Sequence, residues 1–170
     1  MLIANGYSWF NFYPIHDNVS HVLGDGSTRY IKLGRFLTNT YLGIRGHGSL
    51  PLVTGLLSVL FLGVSSCIVT VFLQQKTRIE LVLTGAFLSA NLFMVEINTG
   101  QQYFRDLFLC ALMFGCLGAY CLWHRQDTKH FLLSITLFVI AFGLYPAFII
   151  FVCCLFVALG YIKEVDGVLV

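Results

Sequence analysis

Long stretches without a charged side chain constrain the fold of this chain more than any other feature of its sequence. Residues 52–73, 107–123 and 131–162 contain no Asp, Glu, Lys or Arg over 22, 17 and 32 positions. Residues 81–95 form a shorter stretch of the same kind. Because about 20 apolar residues in a helix cross a bilayer core of about 30 Å, these stretches predict membrane spans.

Inside lipid the backbone must satisfy its own hydrogen bonds, which favours helices over open strands. We therefore predict an all-α, polytopic transmembrane bundle with spans at about 52–73, 79–97, 106–123 and 131–161. The last stretch would cover about 48 Å at 1.5 Å per residue, too long for one straight span. Pro146 lies near its middle, so we expect a strong kink or two shorter helices, and thus four or five spans.

The charge content supports a membrane class and argues against nucleic acid as a partner. Only 11% of the residues are charged, against about 25% in soluble domains. The formal net charge is +2 and the basic residues are scattered, without the aromatic-interleaved basic patch of a nucleic-acid interface. The lipid bilayer is the partner that this composition predicts.

A polar segment precedes the apolar stretches and divides the chain into residues 1–50 and 51–170. Its second half repeats apolar side chains at helical spacing, from Tyr30 to Tyr41, with cations on other faces. This pattern predicts one amphipathic helix in the membrane interface, beginning near Ser27 and ending at the glycines around 43–48. Pro51 suits the first turn of the next helix.

Loop charges predict the orientation of the spans. Lys76 and Arg78 lie in one short loop, and Arg125 and Lys129 lie in another two spans later. The positive-inside rule places both loops in the cytoplasm, which leaves residues 1–50 outside. The cations of this outer segment either pair with a specific anion such as a lipid phosphate or simply meet anionic headgroups.

Asp17 is the first candidate for chemistry, in a Pro-bearing loop next to His16 and outside the predicted membrane boundary. A carboxylate there could act as a general base or hold a divalent cation such as Mg²⁺ or Mn²⁺. An aspartate in such a loop could equally be a turn or capping residue. Spacing alone leaves both readings open.

Several short motifs resemble one bacterial family in order and spacing. They are His16-Asp17, Gly34-Arg35-Phe36, Pro51-Leu52 and, further on, Gly143-Leu144-Tyr145-Pro146-Ala147. This set is similar to the glucosyltransferase family related to the serotype-converting O-antigen glucosyltransferases. The similarity spans most of the chain.

The resemblance implies a multi-pass GT-C enzyme in the bacterial inner or plasma membrane. It would transfer a sugar from a polyprenyl-phosphate donor to a cell-envelope polysaccharide on the outer face. Asp17 would be the catalytic carboxylate, alone or with a divalent cation, and Arg35 would pair with the donor phosphate. The other substrate-binding residues that the resemblance suggests are His16, Lys32, Glu96, Gln101 and Tyr145.

Two further readings stay open. Members of the family carry an earlier helix and more helices after this point, so we expect this sequence to be part of a longer protein, and an isolated piece could be an inactive remnant. A non-catalytic membrane module, such as a flippase-like or assembly subunit, is the other reading. That class would show polar residues lining a route through the spans, and only Asn91 and scattered Ser and Thr lie there, so the enzyme reading ranks above it.

Overall fold

The computed structural model describes residues 27–46, 50–90, 96–97, 102–124 and 127–168, and every regular element within them is helical. The α-helices are α1 (Ser27–Lys32), α2 (Thr38–Arg45), α3 (Pro51–Phe72), α4 (Arg78–Ala90), α5 (Arg105–His124), α6 (Thr128–Leu144) and α7 (Phe148–Val168). A 3₁₀ helix, Gln102–Phe104, leads directly into α5. The predicted all-α class is confirmed for this part of the chain.

Helix α5 forms the centre of the bundle. It packs against α3, α6 and α7, while α4 packs on α3. Every residue from 102 to 112 is buried. Gly115 and Gly118 let neighbouring helices approach closely, because an added Cβ at Gly118 would lie 2.9 Å from the Phe138 ring. The chain therefore surrounds its central helix on several sides.

Hydroxyl side chains inside the apolar helices find partners within their own helix. In α3, Ser58, Ser65, Ser66 and Thr70 each donate to the carbonyl four residues earlier. Such bonds satisfy a buried hydroxyl without a partner from another helix. At the start of α4, Glu80 accepts hydrogen bonds from the amides of Lys76 and Thr77, while the Thr77 hydroxyl accepts one from the Glu80 amide. This reciprocal pair is a capping box.

Helix contacts define two ends of the bundle. At one end α3 and α5 both begin, and the Arg105 guanidinium donates to the Pro51 carbonyl at 3.2 Å. We call this the junction end. At the opposite end the rings of Phe72 and Trp123 lie 6.3 Å apart, and Lys163 Nζ lies 4.6 Å from the centre of the Trp123 ring. The cationic loop after α3 emerges at that opposite end.

Among the described residues, two helices are long and apolar enough to cross a membrane: Pro51–Phe72 and the continuous helical stretch Gln102–His124. Helix α6 is apolar but shorter. Large apolar side chains stay exposed on the outer faces of the bundle, such as Phe87 at 73% and Ile150 at 69%. Exposed apolar surface on this scale is typical of contact with lipid or another protein.

The prediction of one continuous amphipathic helix from Ser27 onward is wrong. Helix α1 ends at Lys32 and α2 begins at Thr38, and the intervening residues 33–37 form a turn. Gly34 has φ of +75°, a left-handed conformation that stops the helix. Leu33 and Phe36 are about half exposed. We call residues 33–37 the Arg35 turn.

The last apolar stretch is divided into two helices. Helix α6 ends at Leu144, α7 begins at Phe148, and Pro146 lies between them. Because proline has no N–H and its ring clashes with the preceding turn, it leaves carbonyls at the end of α6 without helical partners. These carbonyls lie at the junction end, and their partners come from elsewhere in the chain.

Candidate functional site

The Arg35 turn covers the broken end of α6. The Leu37 amide donates to the Gly143 carbonyl at 2.9 Å, and the Thr38 hydroxyl donates to the Leu144 carbonyl at 3.2 Å. These are two of the acceptors that the Pro146 break leaves open. Donors in and next to the Arg35 turn therefore satisfy carbonyls that the break after α6 leaves open, although more than 100 residues of sequence separate them.

This contact requires a glycine on the α6 side. A Cβ on Gly143 would lie 2.7 Å from Phe36 Cζ and 3.0 Å from Leu37 Cγ and Cδ1. Gly34 faces Pro146 across the same contact, at 3.9 Å from its would-be Cβ to Pro146 Cγ. Two motifs that are distant in sequence, Gly34-Arg35-Phe36 and Gly143-Leu144-Tyr145-Pro146, thus meet at one place.

Arg35 stacks on aromatic rings where these motifs meet. Its guanidinium carbon lies 4.5 Å from the centre of the Tyr145 ring and 5.7 Å from that of Phe108. The Tyr145 and Phe108 rings are themselves 4.3 Å apart. Stacking on aromatic faces fixes the orientation of a guanidinium.

A second polar cluster links α2 to the first turn of α5. Tyr41 and Arg45 are four residues apart and share one face of α2. The Tyr41 hydroxyl donates to Asp106 Oδ2 at 2.9 Å, and Arg45 Nη1 donates to Asp106 Oδ1 at 2.7 Å. Arg45 Nη1 also donates to the Tyr103 carbonyl at 2.7 Å, and its guanidinium lies 4.7 Å from the centre of the Tyr103 ring.

This cluster is buried. Asp106 has no exposed side-chain surface and the Arg45 side chain is 6% exposed. The Asp106 carboxylate lies in the first turn of α5, where the helix dipole favours negative charge. Burial raises the pKa of Tyr41 well above its usual range, and the adjacent Asp106 carboxylate raises it further. Tyr41 therefore stays a protonated donor to Asp106.

Of the predicted site residues, the structure brings two together, shows two exposed and leaves three outside the described ranges. Arg35 and Tyr145 are stacked on each other. Lys32 and Glu96 are exposed. Asp17, His16 and Gln101 lie outside the described residues, as does the possible metal site at Asp17. Within the described ranges no group of three or more His, Cys, Asp or Glu side chains is placed to hold a metal ion.

Sequence reasoning missed the Arg45–Asp106–Tyr41 cluster. Tyr41 was assigned to the apolar stripe, and Arg45 to the glycine-rich end of the helix. The available signal was Asp106 itself, a carboxylate at the start of an otherwise uncharged span, which needs a cation when buried. Sequence alone does not show which of several arginines supplies that cation.

Comparisons with known proteins address the whole chain. Residues 6–166 match the protein family described as Glucosyl transferase GtrII. No curated protein and no solved structure matches the chain. The family match confirms the resemblance drawn from the short motifs. Because it covers nearly the full length, and because two described helices are apolar enough to span a bilayer, this chain belongs to the GtrII glucosyl transferase family and is a membrane-associated glycosyltransferase.

Proposed function

We propose that the chain is part of a multi-pass GT-C hexosyltransferase of the bacterial inner membrane. It transfers glucose from a polyprenyl-phosphate donor to a cell-envelope glycan on the outer face. Family membership supports glycosyl transfer. The observation that carries the rest is the meeting of the Arg35 turn with the α6–α7 break, which gathers the Arg35–Tyr145 stack at one end of an apolar bundle.

The junction end suits a lipid-linked donor because it combines apolar and polar surfaces. The outer faces of the helices present large aliphatic and aromatic side chains, against which a polyprenyl chain can lie. At the same end, guanidinium groups lie beside aromatic rings. A phosphate on a lipid chain requires this combination, with the chain in the apolar region and the charge near its edge.

The proposed reaction is a direct displacement. The acceptor hydroxyl oxygen attacks the anomeric carbon of the donor, and the bond from that carbon to the phosphate oxygen breaks. Asp17 takes the proton of the hydroxyl as general base. The negative charge stays on the polyprenyl phosphate, where Arg35, with Lys32 nearby in sequence, stabilises it. His16, Glu96, Gln101 and Tyr145 are proposed to contact the sugar or the acceptor.

Glucose transfer in membranes tests this proposal. Membranes that contain the complete protein are given labelled polyprenyl-phosphate glucose, and transfer to the glycan is measured for the wild type and for Asp17→Asn. We expect Asp17→Asn to reduce the rate by a factor of about 100 or more, the lower range of general-base effects. Asp127→Asn is the matched control, because Asp127 is an exposed aspartate at the opposite end. Equal rates for wild type and Asp17→Asn would refute the role of Asp17.

The orientation is tested separately by labelling. In a cysteine-free background, Leu50→Cys and Lys76→Cys each place one exposed thiol, at the junction end and at the opposite end. A membrane-impermeant maleimide added to intact cells is expected to label position 50 and to spare position 76. Labelling of position 76 alone would place the junction end in the cytoplasm and exclude transfer on the outer face.

A further inference from the structure

Arg45 uses only part of its hydrogen-bonding capacity within the described chain. A guanidinium carries five N–H donors. Nη1 accounts for two of them, through Asp106 Oδ1 and the Tyr103 carbonyl. Nε and Nη2 are buried, and no hydrogen-bond acceptor for either is found in the part of the chain that the structure describes. These two atoms form one edge of the guanidinium plane.

This edge is held in place by its surroundings. The Tyr103 ring lies beside the guanidinium, and Asp106 and the Tyr103 carbonyl hold Nη1. Asp106 is in turn held by the Tyr41 hydroxyl. Since the side chain is 6% exposed, the donors of the Nε–Nη2 edge are largely shielded from water. Buried donors of this kind are costly unless an acceptor is bound.

We propose that the Nε–Nη2 edge of Arg45 binds two oxygens of a lipid-borne phosphate group. The parallel donors of this edge match the spacing of two phosphate oxygens, which a single ammonium does not. If the phosphate belongs to the sugar donor, Arg45 joins the residues that contact the donor. That identification of the ligand rests on the proposed function. A phospholipid headgroup offers the same chemistry, and the experiment separates the two sources.

The experiment measures ligand binding to the purified full chain in non-ionic detergent. Farnesyl phosphate represents the lipid-linked donor, phosphatidylglycerol represents the membrane headgroup, and farnesol is the uncharged control. Dissociation constants come from calorimetry, and unfolding temperatures are recorded for every variant. Lys129→Gln is the control substitution, because Lys129 is exposed on α6 near the opposite end.

Two variants separate binding from folding. Arg45→Lys keeps a cation beside Asp106 but removes the two-donor edge. Arg45→Gln combined with Asp106→Asn removes both charges together, so no buried charge is left unpaired. We expect both variants to keep an unfolding temperature near that of wild type and to bind the phosphate ligand at least about tenfold more weakly, the effect of losing one charge-assisted hydrogen bond.

The outcomes distinguish this inference from the proposed function. Farnesyl phosphate binding that depends on Arg45 supports both. Phosphatidylglycerol binding that depends on Arg45, without binding of farnesyl phosphate, supports the phosphate site and contradicts the proposed donor. If the folded double variant still binds farnesyl phosphate, the inference is overturned, because Arg45 then only holds α2 on α5. The proposed lipid-phosphate donor would stand in that case. No preference for either phosphate over farnesol overturns the inference and the donor assignment together.

Discussion

Replacing Gly143 with alanine adds one methyl group where α6 meets the Arg35 turn. The new Cβ would lie 2.7 Å from Phe36 Cζ and 3.0 Å from Leu37 Cγ. Phe36 is half exposed, so its ring can swing away at little cost. Leu37 has less freedom, because its amide is hydrogen-bonded to the carbonyl of Gly143 itself. The methyl group therefore pushes the turn away from α6 and strains that hydrogen bond.

The matched control is Gly160→Ala in α7, where an added Cβ meets nothing within 4 Å. Both substitutions gain the same helix propensity, about 1 kcal/mol, so the difference between them isolates the steric effect. Overpacking of this size costs about 1–3 kcal/mol. At roughly 2–4 °C per kcal/mol for a chain of this length, Gly143→Ala should unfold roughly 2–12 °C below Gly160→Ala.

Two measurements check this prediction in detergent. Thermal unfolding gives the difference in midpoint between the two variants. Hydrogen exchange gives the protection of the Leu37 amide, which we expect to fall in Gly143→Ala and to stay at the wild-type level in Gly160→Ala. Equal midpoints together with unchanged Leu37 protection would show that the turn does not depend on close contact with α6, and the reasoning would fail.

Three further predictions concern the polar contacts at the junction end. Asp106→Ala leaves the buried Arg45 cation without its partner and should cost about 3–5 kcal/mol in the free energy of unfolding; stability equal to that of wild type would contradict the buried pair. Tyr145→Leu removes the ring under Arg35 and should cost about 0.5–2 kcal/mol, whereas Tyr145→Phe keeps the ring and should cost less, as chemical unfolding would show. Burial raises the pKa of Tyr41 in the folded state, so the folded protein holds this proton more tightly than the unfolded chain. The resulting stability is complete below the unfolded pKa of about 10 and is lost as the pH rises beyond it. Midpoints measured from pH 8 to 11 should therefore fall less for Tyr41→Phe than for wild type.

Several of the described helices could be predicted from the sequence because a membrane span shows as a long stretch without charged side chains. The uncharged stretches 52–73 and 107–123 correspond closely to α3 and to the apolar part of α5. The physical rule is strong here, since an unpaired charge in lipid is expensive. Pro146 likewise lies between two helices, because proline cannot continue the hydrogen-bond ladder.

The Arg35 turn could not be predicted in the same way. Apolar side chains at helical spacing from Tyr30 to Tyr41 suited a continuous helix, and nothing in that pattern showed that Gly34 would take a left-handed conformation. The decisive interactions are with carbonyls of α6, far away in sequence. The helical spacing is present in the sequence, but these tertiary contacts outweigh it and break the helix.

The candidate site was predictable only in part for a related reason. The short motifs indicated that Arg35 and Tyr145 matter, but their contact depends on how two distant turns pack. Asp106 stands at the start of an uncharged stretch, a signal that the sequence analysis did not use. Its pairing with Arg45, across 61 positions of sequence, follows from the position of α2 on the bundle, which no local pattern encodes.

The hydrogen bond from Thr38 to the Leu144 carbonyl, 106 positions apart, has a consequence for biosynthesis. The Arg35 turn leaves the ribosome long before the carbonyls that hold it have been translated. At 5–20 residues per second, that interval is roughly 5–20 s. During this time the Arg35 turn lacks these two acceptors, and its contact with α6 forms only after the sixth helix has been made. The Arg35 turn therefore gains its contact with α6 later than α2 gains the Arg45–Asp106 pair, whose partners are only 61 positions apart.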